Sequence, residues 1–241
     1  MIIIFKRTSF FLLLMGVLIF LNYGTISLAM SGERSMKESN MISLPSPALK
    51  GPVSVEEAIN IRRTKREFSD KALTMAEWGQ ILWAAQGITY DNDREKRAAP
   101  SAGALYPLDI YLILKKGAKD FPKTGVFHYL PLKHALKQIS GKDLNKEVAE
   151  ASLYQYWMAE APGMILITAE YSRITGKYGD RGIRYAHIEA GHVAQNCFLQ
   201  AQSLKLNMGI VGAFEDNRLI DLLGIPESHE PILILPVGRS K

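Results

Sequence analysis

The chain has 241 residues, of which 47% are hydrophobic, and its 29 basic residues outnumber 24 acidic ones. A chain of this length and composition can bury a full core, which excludes intrinsic disorder, a collagen-like repeat and a disulfide scaffold. The net charge of +5 is modest and no aromatic-studded basic face is evident, so nucleic acid is not an expected partner. The single cysteine, Cys197, lies in an apolar helical pattern, which predicts a buried thiol and excludes an internal disulfide or a cysteine-based metal site.

Residues 1–29 have the order of a secretory signal peptide. Lys6 and Arg7 precede an apolar run over residues 10–21, and small residues up to Ala29 suit a signal peptidase. We expect cleavage after Ala29, which would export the domain. An uncleaved membrane anchor is the alternative, because the uncharged stretch is about long enough to span a bilayer.

Residues 30–52 indicate a linker or extended arm, and residues 53–241 a single folded domain. Strand patterns alternate with helical ones without regular βαβ spacing, which favours the α+β class. The longest helical pattern leaves little polar face, so we expect that helix to be buried in the core or across a dimer interface. In chain order, the patterns predict a helix from Val55 toward Arg62 after a capping box at Ser54–Glu57, and a helix after a second capping box at Thr74–Glu77 that Gly87 ends. They then predict strands over 109–114 and 126–130, a central strand over 163–169, a helix over 180–204, a helix over 216–223 and a buried strand over 232–237.

A basic run follows the first helix, with Arg62, Arg63, Lys65 and Arg66 around Thr64. Guanidinium groups and a hydroxyl suit a phosphate monoester, which accepts bidentate charged hydrogen bonds. The alternative is a solvated charge run that interacts favourably with the C-terminus of a helix.

Two segments of small residues precede or follow predicted regular structure, over 100–107 and 209–214. Small side chains allow the backbone to approach a planar ligand closely. An ordinary surface turn is the alternative, and neither segment has a glycine-rich phosphate-binding pattern.

These segments in this order resemble the nitroreductase-like flavoprotein family over about residues 54–239. The Pro-Ser-Ala-Gly-Ala-Leu-Tyr-Pro run that begins at Pro100 and the Gly-His-Val-Ala-Gln-Asn run that begins at Gly191 are similar to the SagB-type, azoline-forming dehydrogenase branch. The resemblance implies an α+β nitroreductase-like fold, with a mixed or antiparallel central sheet flanked by helices, in an intertwined homodimer that binds FMN between its subunits.

The resemblance also implies a set of FMN-binding residues. The phosphate and ribityl groups would contact the basic run and the end of the chain, and the isoalloxazine ring would contact the two small-residue segments. The residues are Arg62, Arg63, Thr64, Arg66, Ser101, Ala102, Gly103, Ala104, Leu105, Gly212, Ala213, Gly238 and Arg239.

Lys177 and Tyr178 match a pair that assists proton removal in azoline-oxidising relatives, and we interpret them as candidate catalytic residues in a loop. A lysine that is desolvated near a cofactor could act as a base at neutral pH. A Lys-Tyr pair without catalytic role is the alternative.

His187 and His192 are five residues apart in a predicted helix, which is poor spacing for a shared metal ion, so we expect no metal site. Buried hydrogen bonds are the preferred interpretation for His192, Gln195 and Asn196.

The resulting hypothesis is an exported FMN-dependent oxidoreductase that carries out two-electron chemistry on a small molecule or peptide, with NAD(P)H or an envelope electron carrier as donor. The alternatives are a non-catalytic flavin-binding module and a true peptide azoline dehydrogenase. The leader fits the last of these poorly, because azoline formation on a nascent peptide is normally cytoplasmic.

Overall fold

Helices lie on both faces of a seven-stranded sheet in the computed structural model, which describes residues 40–90, 96–115, 120–121 and 123–241. The predicted α+β class is confirmed. The helices are α1 (Val55–Ile61), α2 (Met75–Gln86), α3 (Asn145–Ala151), α4 (Ser172–Tyr178), α5 (Arg181–Ser203) and α6 (Asp216–Leu223). The strands are β1 (Met41–Ser43), β2 (Ile88–Tyr90), β3 (Lys96–Arg97), β4 (Leu108–Leu114), β5 (Gly125–Leu130), β6 (Ala135–Ser140), β7 (Gly163–Ala169), β8 (Asn207–Met208) and β9 (Glu230–Gly238).

Local capping explains where the first two helices begin. The Thr74 hydroxyl accepts from the Glu77 amide at 3.2 Å and the Glu77 carboxylate accepts from the Thr74 amide at 2.7 Å, so the predicted capping box of α2 is confirmed. Gly87 ends this helix, as predicted. At α1 the Ser54 hydroxyl accepts from the Glu57 amide at 3.1 Å, but the Glu57 side chain remains exposed and the second half of the predicted box does not form.

The strand order in the sheet is β1-β6-β5-β4-β7-β9-β8, with β2 and β3 as a separate antiparallel pair. The pairings of β4 with β5, β4 with β7 and β7 with β9 are antiparallel. In that register Asp109 is opposite Thr168 and Leu114 is opposite Gly163. Strands β4 and β7 are therefore central, and their residues are all buried.

The alternating side chains of the central strands separate two cores, because successive residues of a strand face opposite sides of a sheet. Ile110 and Leu112 pack with α2 and α5, whereas Tyr111 and Ile113 pack with α3 and α6. The predicted burial of the 163–169 strand on both faces is confirmed.

The helix predicted over 180–204 is α5, which packs one side into the core and exposes the other. Cys197 is fully buried, as predicted. His192 and Gln195 lie on the side that faces away from the sheet and are exposed, so the predicted buried hydrogen bonds for these two are wrong. Asn196 is half-buried, and its amide nitrogen donates to the carbonyl oxygen of Ala84 at 3.2 Å.

Seven of the described helices and strands are not among the predicted ones, namely β1, β2, β3, β6, β8, α3 and α4. Strand β6 carries polar residues on its solvent side, and neither short helix has a side-chain N-cap, so the local signals were weak. The predicted loop position of Lys177 and Tyr178 is also wrong, because both belong to the last turn of α4.

The proposed leader over residues 1–29 lies outside the described residues. Within the part of the chain that the structure describes, no helix combines the length and apolar character needed to cross a membrane.

Candidate functional site

The basic segment, residues 62–69, is fixed against the edge of the main sheet. Arg62 caps α1, and the chain then runs beside β8 and the end of β9. The Lys65 amide donates to the carbonyl of Met208 at 2.9 Å, and the Ser69 amide donates to the carbonyl of Arg239 at 2.9 Å. The basic segment and Arg239, which are distant in the sequence, therefore lie side by side.

Two arginines of this segment stack on aromatic rings. The guanidinium carbon of Arg62 lies 5.5 Å from the ring centre of Phe198 in α5. That of Arg66 lies 5.6 Å from the ring centre of Trp157. Such stacking orients a guanidinium group and leaves its edge available to an anion.

Arg63 and Thr64 are exposed. The Nη1 atom of Arg63 donates to the carbonyl oxygens of Asn60 at 2.9 Å and Arg62 at 2.8 Å, at the C-terminal end of α1. A cation at the C-terminal end of a helix is favourable. This arrangement is the alternative to a phosphate site that the sequence left open for the basic run. Arg63 therefore donates hydrogen bonds to the backbone, whereas the described contacts of Arg62 and Arg66 are with aromatic rings.

Arg239 follows β9 and lies against the start of α2. Its Nη2 atom donates to both carboxylate oxygens of Glu77, at 2.7 and 2.9 Å. Since Glu77 also caps α2 through Thr74, this ion pair fixes the guanidinium group to a helix terminus. Gly238 is buried, and a Cβ atom there would lie 2.9 Å from the Phe68 ring, so the close approach of β9 to the basic segment requires glycine.

The small-residue loop, residues 101–106, has an uncommon backbone. Gly103 has φ +63°, Ala104 +55° and Tyr106 +47°, which are left-handed values that non-glycine residues rarely adopt. The Ser101 hydroxyl accepts from the Tyr106 amide at 2.9 Å and closes the loop. Backbone strain of this kind is characteristic of functional sites and persists only where the surroundings enforce it.

Lys177 and Tyr178 lie directly against this loop. A Cβ atom added to Gly103 would lie 2.8 Å from the Tyr178 hydroxyl and 3.0 Å from Lys177 Nζ. Tyr178 is further held by the edge of Tyr185, with ring centres 5.2 Å apart. Lys177 is exposed, so the desolvation expected for a basic catalyst is not provided by this chain alone.

The second small-residue segment leaves Gly212 and Ala213 exposed beyond β8. Val211 forms an isolated antiparallel bridge with Ile234 of β9, which fixes the segment to the sheet. The carbonyl oxygen of Ala213 accepts from the Gln155 side chain at 3.3 Å. The backbone around Gly212 is therefore both accessible and fixed, as a ring-contacting segment requires.

The candidate site residues form two separate groups within one chain. The basic segment contacts α5 at Phe198, whereas the small-residue loop is linked to α5 at Glu189 through Arg97 and Gln86. Nine residues of helix separate these contacts, about 13 Å along the axis at 1.5 Å per residue. The basic segment lies with Arg239, and the loop lies with Lys177 and Tyr178.

A buried cluster of charged groups around Asp109 was not predicted from the sequence. The Oδ1 atom of Asp109 lies 2.8 Å from His128 Nε2, and its Oδ2 atom lies 2.7 Å from Arg173 Nη1. Arg173 also forms an ion pair with Glu170 at 2.6 Å. The only local sequence signal for this cluster was the three-residue spacing of Glu170 and Arg173, which suits an ion pair.

His229 completes this cluster. Its Nδ1 atom lies 2.6 Å from the Tyr111 hydroxyl, and its Nε2 atom lies 3.6 Å from Asp109 and from Glu170. Asp109, Glu170 and His229 offer ligand atoms within 4.8 Å of one another, which is the spacing of a metal site. The Arg173 guanidinium already occupies both carboxylates, so a metal ion would have to displace a bound cation.

The pKa values in the cluster follow from burial and charge. Burial raises the pKa of Asp109, but hydrogen bonding from His128 and the charges of Arg173 and His229 outweigh it, so the pKa is lowered. Burial lowers the pKa of His229. The cluster therefore holds an ionised Asp109 at neutral pH in the interior next to α4.

The Nitroreductase family model matches residues 59–239, from α1 to the residue that follows β9. The chain belongs to the nitroreductase family, whose members are generally flavin-dependent oxidoreductases.

Relatives agree with this assignment. A nitroreductase-family protein of Methanocaldococcus jannaschii is 42% identical over 189 residues, which are 78% of this chain and 91% of that one. The microcin B17-processing protein McbC of Escherichia coli is 27% identical over 206 residues, 83% and 76% of the two chains. The crystal structure of a nitroreductase-family protein of Ralstonia eutropha has a TM-score of 0.74 at 26% identity and covers 84% of this chain and 90% of its own. The predicted nitroreductase-like fold is confirmed, and the likeness to McbC is weak.

Proposed function

We propose that the chain is an exported FMN-dependent oxidoreductase that carries out two-electron hydride chemistry on a small molecule or peptide. The observation that carries the proposal is the 2.9 Å hydrogen bond between the Ser69 amide and the Arg239 carbonyl. It holds the backbone of the basic segment beside that of Arg239, so arginines from both ends of the domain lie at one edge of the sheet. A phosphate monoester requires several charged donors in such an arrangement.

In this proposal Arg62, Arg66 and Arg239 bind the phosphate, and Thr64 adds a hydroxyl donor. Arg62 and Arg66 suit the role because stacking orients them without neutralising their charge. Arg63 contributes mainly charge, since its Nη1 atom is engaged by two carbonyl oxygens.

The backbone of the small-residue loop and of Gly212 and Ala213 would contact the ring system. These segments suit a planar ring, because Gly103 is exposed in its left-handed conformation and has no side chain. Gly212 and Ala213 are exposed as well. When bound, FMN supplies the two-electron redox chemistry, and the protein supplies binding, orientation and charge. Lys177 and Tyr178 would then hold or move a proton beside Gly103, within reach of a substrate in the site.

A homodimer is part of the proposal. The two groups of site residues are separated along α5, so a ligand that requires both could bind between subunits. Large apolar side chains on α1 and α5 are exposed in the single chain, which is unfavourable in water and typical of an interface. They are Val55, Ile59, Ile61, Ile183 and Ile188.

We propose SagB-type ancestry for the chain, supported by the 27% identity to McbC and by the position of the Lys-Tyr pair at the loop. A peptide azoline dehydrogenase is the second candidate function, and these same observations favour it. We rank it below an oxidoreductase with another substrate because the proposed leader directs the chain out of the cytoplasm. NAD(P)H or an envelope electron carrier is the proposed donor.

A purified preparation of residues 30–241 tests the proposal. We expect a yellow dimer whose released cofactor is FMN, which is bleached by NADH, NADPH or dithionite without oxygen and is reoxidised by quinones or nitroaromatics. A colourless protein that does not take up added FMN would refute the proposal. A yellow protein that no acceptor reoxidises would support the non-catalytic flavin-binding alternative.

The Arg239→Ala variant tests the phosphate assignment. Loss of a charged hydrogen bond should weaken FMN binding by about 2 kcal/mol, or about thirtyfold in Kd. Lys241→Ala is the matched control. Lys241 is two residues after Arg239 in the sequence and forms an exposed ion pair with Glu160 at 2.8 Å. Flavin fluorescence titration measures both, and equal Kd values for the two variants would reject the role of Arg239.

A further inference from the structure

The left-handed backbone of the small-residue loop requires support from outside the loop. Ala104 and Tyr106 each carry a Cβ atom at a positive φ, which costs about 1 kcal/mol or more per residue. The hydrogen bond from the Tyr106 amide to the Ser101 hydroxyl offsets part of this cost, and contacts with neighbouring elements offset the rest. Beneath the loop lies Glu189 of α5, whose side chain is 1% exposed and is not among the residues that the sequence singled out.

A set of polar contacts links this carboxyl group to the loop. The Gln86 amide of α2 donates to Glu189 Oε1 at 3.1 Å, and Arg97 Nη1 donates to Gln86 Oε1 at 3.3 Å. Arg97 in turn stacks on the Tyr106 ring at 4.4 Å. Its amide donates to the Tyr106 hydroxyl at 3.3 Å.

Ser101 closes the loop from within. Its hydroxyl accepts from the Tyr106 amide at 2.9 Å. The second oxygen of the Glu189 carboxyl group, Oε2, is buried and has no hydrogen-bond partner among the described residues. The contacts through Gln86 and Arg97 therefore tie Tyr106 to one buried carboxyl group. The loop has no comparable anchor among the described contacts on its other side, where Gly103 meets Lys177 and Tyr178.

We infer that Glu189 is a positioning residue, which holds the loop over residues 101–106 in its left-handed conformation against Lys177 and Tyr178. The inference rests on the proposed function for its catalytic consequence, but its structural consequence is independent of it. Glu189 is too deeply buried to touch substrate, so it acts on Tyr106 through Gln86 and Arg97.

The charge state of Glu189 decides which substitution at this position should still support the loop. Burial raises the pKa of Glu189 above its usual range, although the nearby Ser101 hydroxyl, the hydrogen bond from Gln86 and the charge of Arg97 oppose this. A glutamine side chain has the shape of the carboxyl group and can still accept from Gln86. We therefore expect Glu189→Gln to retain the loop conformation and Glu189→Leu to lose it.

The chain offers a matched control between the same two helices. Gln80 of α2 donates to Gln200 of α5 at 3.1 Å, the same length as the bond between Gln86 and Glu189. Gln200 does not contact the loop through any described hydrogen bond. Gln200→Leu thus removes a polar contact between α2 and α5 without removing the support of the loop.

Hydrogen–deuterium exchange of the whole purified protein, followed by mass spectrometry, gives a readout that does not depend on activity. We expect exchange in residues 98–107 to be about tenfold faster in Glu189→Leu than in the wild type, because buried hydrogen bonds are lost. Exchange in residues 62–69 should not change. Glu189→Gln should match the wild type, and Gln200→Leu should leave residues 98–107 unchanged.

Steady-state kinetics then test the catalytic consequence. Misplacement of the loop should lower kcat by about tenfold to a hundredfold in Glu189→Leu, with FMN content retained through the basic segment. Glu189→Gln should restore kcat.

Equal loop exchange in Glu189→Leu and Gln200→Leu would overturn the inference. If Glu189→Leu does not fold, Arg97→Met opens the same set of contacts from its other end, and unchanged loop exchange there would overturn it as well. If the wild type binds no FMN, the proposed function fails, whereas the exchange experiment still decides the role of Glu189.

Discussion

Replacement of Asp109 by asparagine should destabilise the protein in a pH-dependent way. The carboxylate is 9% exposed and has two close cationic or donor partners, His128 at 2.8 Å and Arg173 at 2.7 Å. An asparagine side chain at this position would keep the volume but lose the charge, and its amide nitrogen cannot accept from a guanidinium group. The Arg173 charge would then lack its closest counterion at this position.

The expected magnitude follows from burial. Loss of one partner of a fully buried ion pair costs about 3 kcal/mol or more. The Arg173 side chain is 35% exposed, so water screens part of the loss, and we reduce the expectation to about 2 kcal/mol at pH 7. Urea unfolding at constant m-value measures this difference.

The sign of the pH dependence follows from the lowered pKa of Asp109. A group whose pKa is lower in the folded state stabilises the protein above its unfolded pKa of about 3.9, and this contribution is lost as the pH falls through the folded pKa. The wild type should therefore exceed Asp109→Asn in stability by the full amount near pH 7. The gap should begin to narrow below about pH 4, where Asp109 of the unfolded wild type takes up a proton, and should continue to narrow until the folded carboxyl group is protonated at its lower pKa. His128, His229, Glu170 and Tyr111 also belong to the cluster around Asp109, but they are present in both proteins.

Glu150→Gln is the control, because Glu150 has two basic neighbours, Lys146 and Arg218, but at 3.9 Å and nearer the surface. We expect it to cost about 0.5 kcal/mol or less. The reasoning is refuted if Asp109→Asn and Glu150→Gln have the same stability, or if the gap between the wild type and Asp109→Asn is constant from about pH 7 to about pH 3.

Further predictions concern glycine and cysteine. Gly103→Ala should cost about 2 kcal/mol in unfolding free energy, because it adds a left-handed alanine and a Cβ atom 2.8 Å from the Tyr178 hydroxyl. Gly224→Ala, which is also left-handed at φ +64° and whose added Cβ atom would lie 3.9 Å from Ile139, should cost only about 1 kcal/mol. Equal costs for the two variants would exclude the contact at position 103. Burial raises the pKa of Cys197 to about 12, so we expect no reaction with a thiol reagent at about pH 8 until the protein is unfolded. Rapid labelling of the native protein would contradict that burial.

Much of the secondary structure could be predicted from the sequence because its signals are local. The reciprocal hydrogen bonds of Thr74 and Glu77 depend on residues three apart, and the apolar run over 163–169 is itself a sufficient signal of a central strand. The basic segment, the small-residue loop and Arg239 were also recognisable as candidate site residues. The weakly capped α4 was missed, and His192 and Gln195 were misplaced, because the pattern does not show which side of a long helix the sheet covers.

The tertiary structure alone decided how these residues combine. Asp109, His128 and His229 meet because the antiparallel order of β5, β4, β7 and β9 brings distant positions to the same end of the sheet. Glu189 supports the loop because α5 packs across α2. Periodicity and capping report on neighbours within a few residues, whereas contacts between distant residues depend on strand order and helix packing. The sequence by itself determined the elements with strong local signals and most candidate residues of this nitroreductase-family chain, and the packing of α5 and the sheet determined which of them act together.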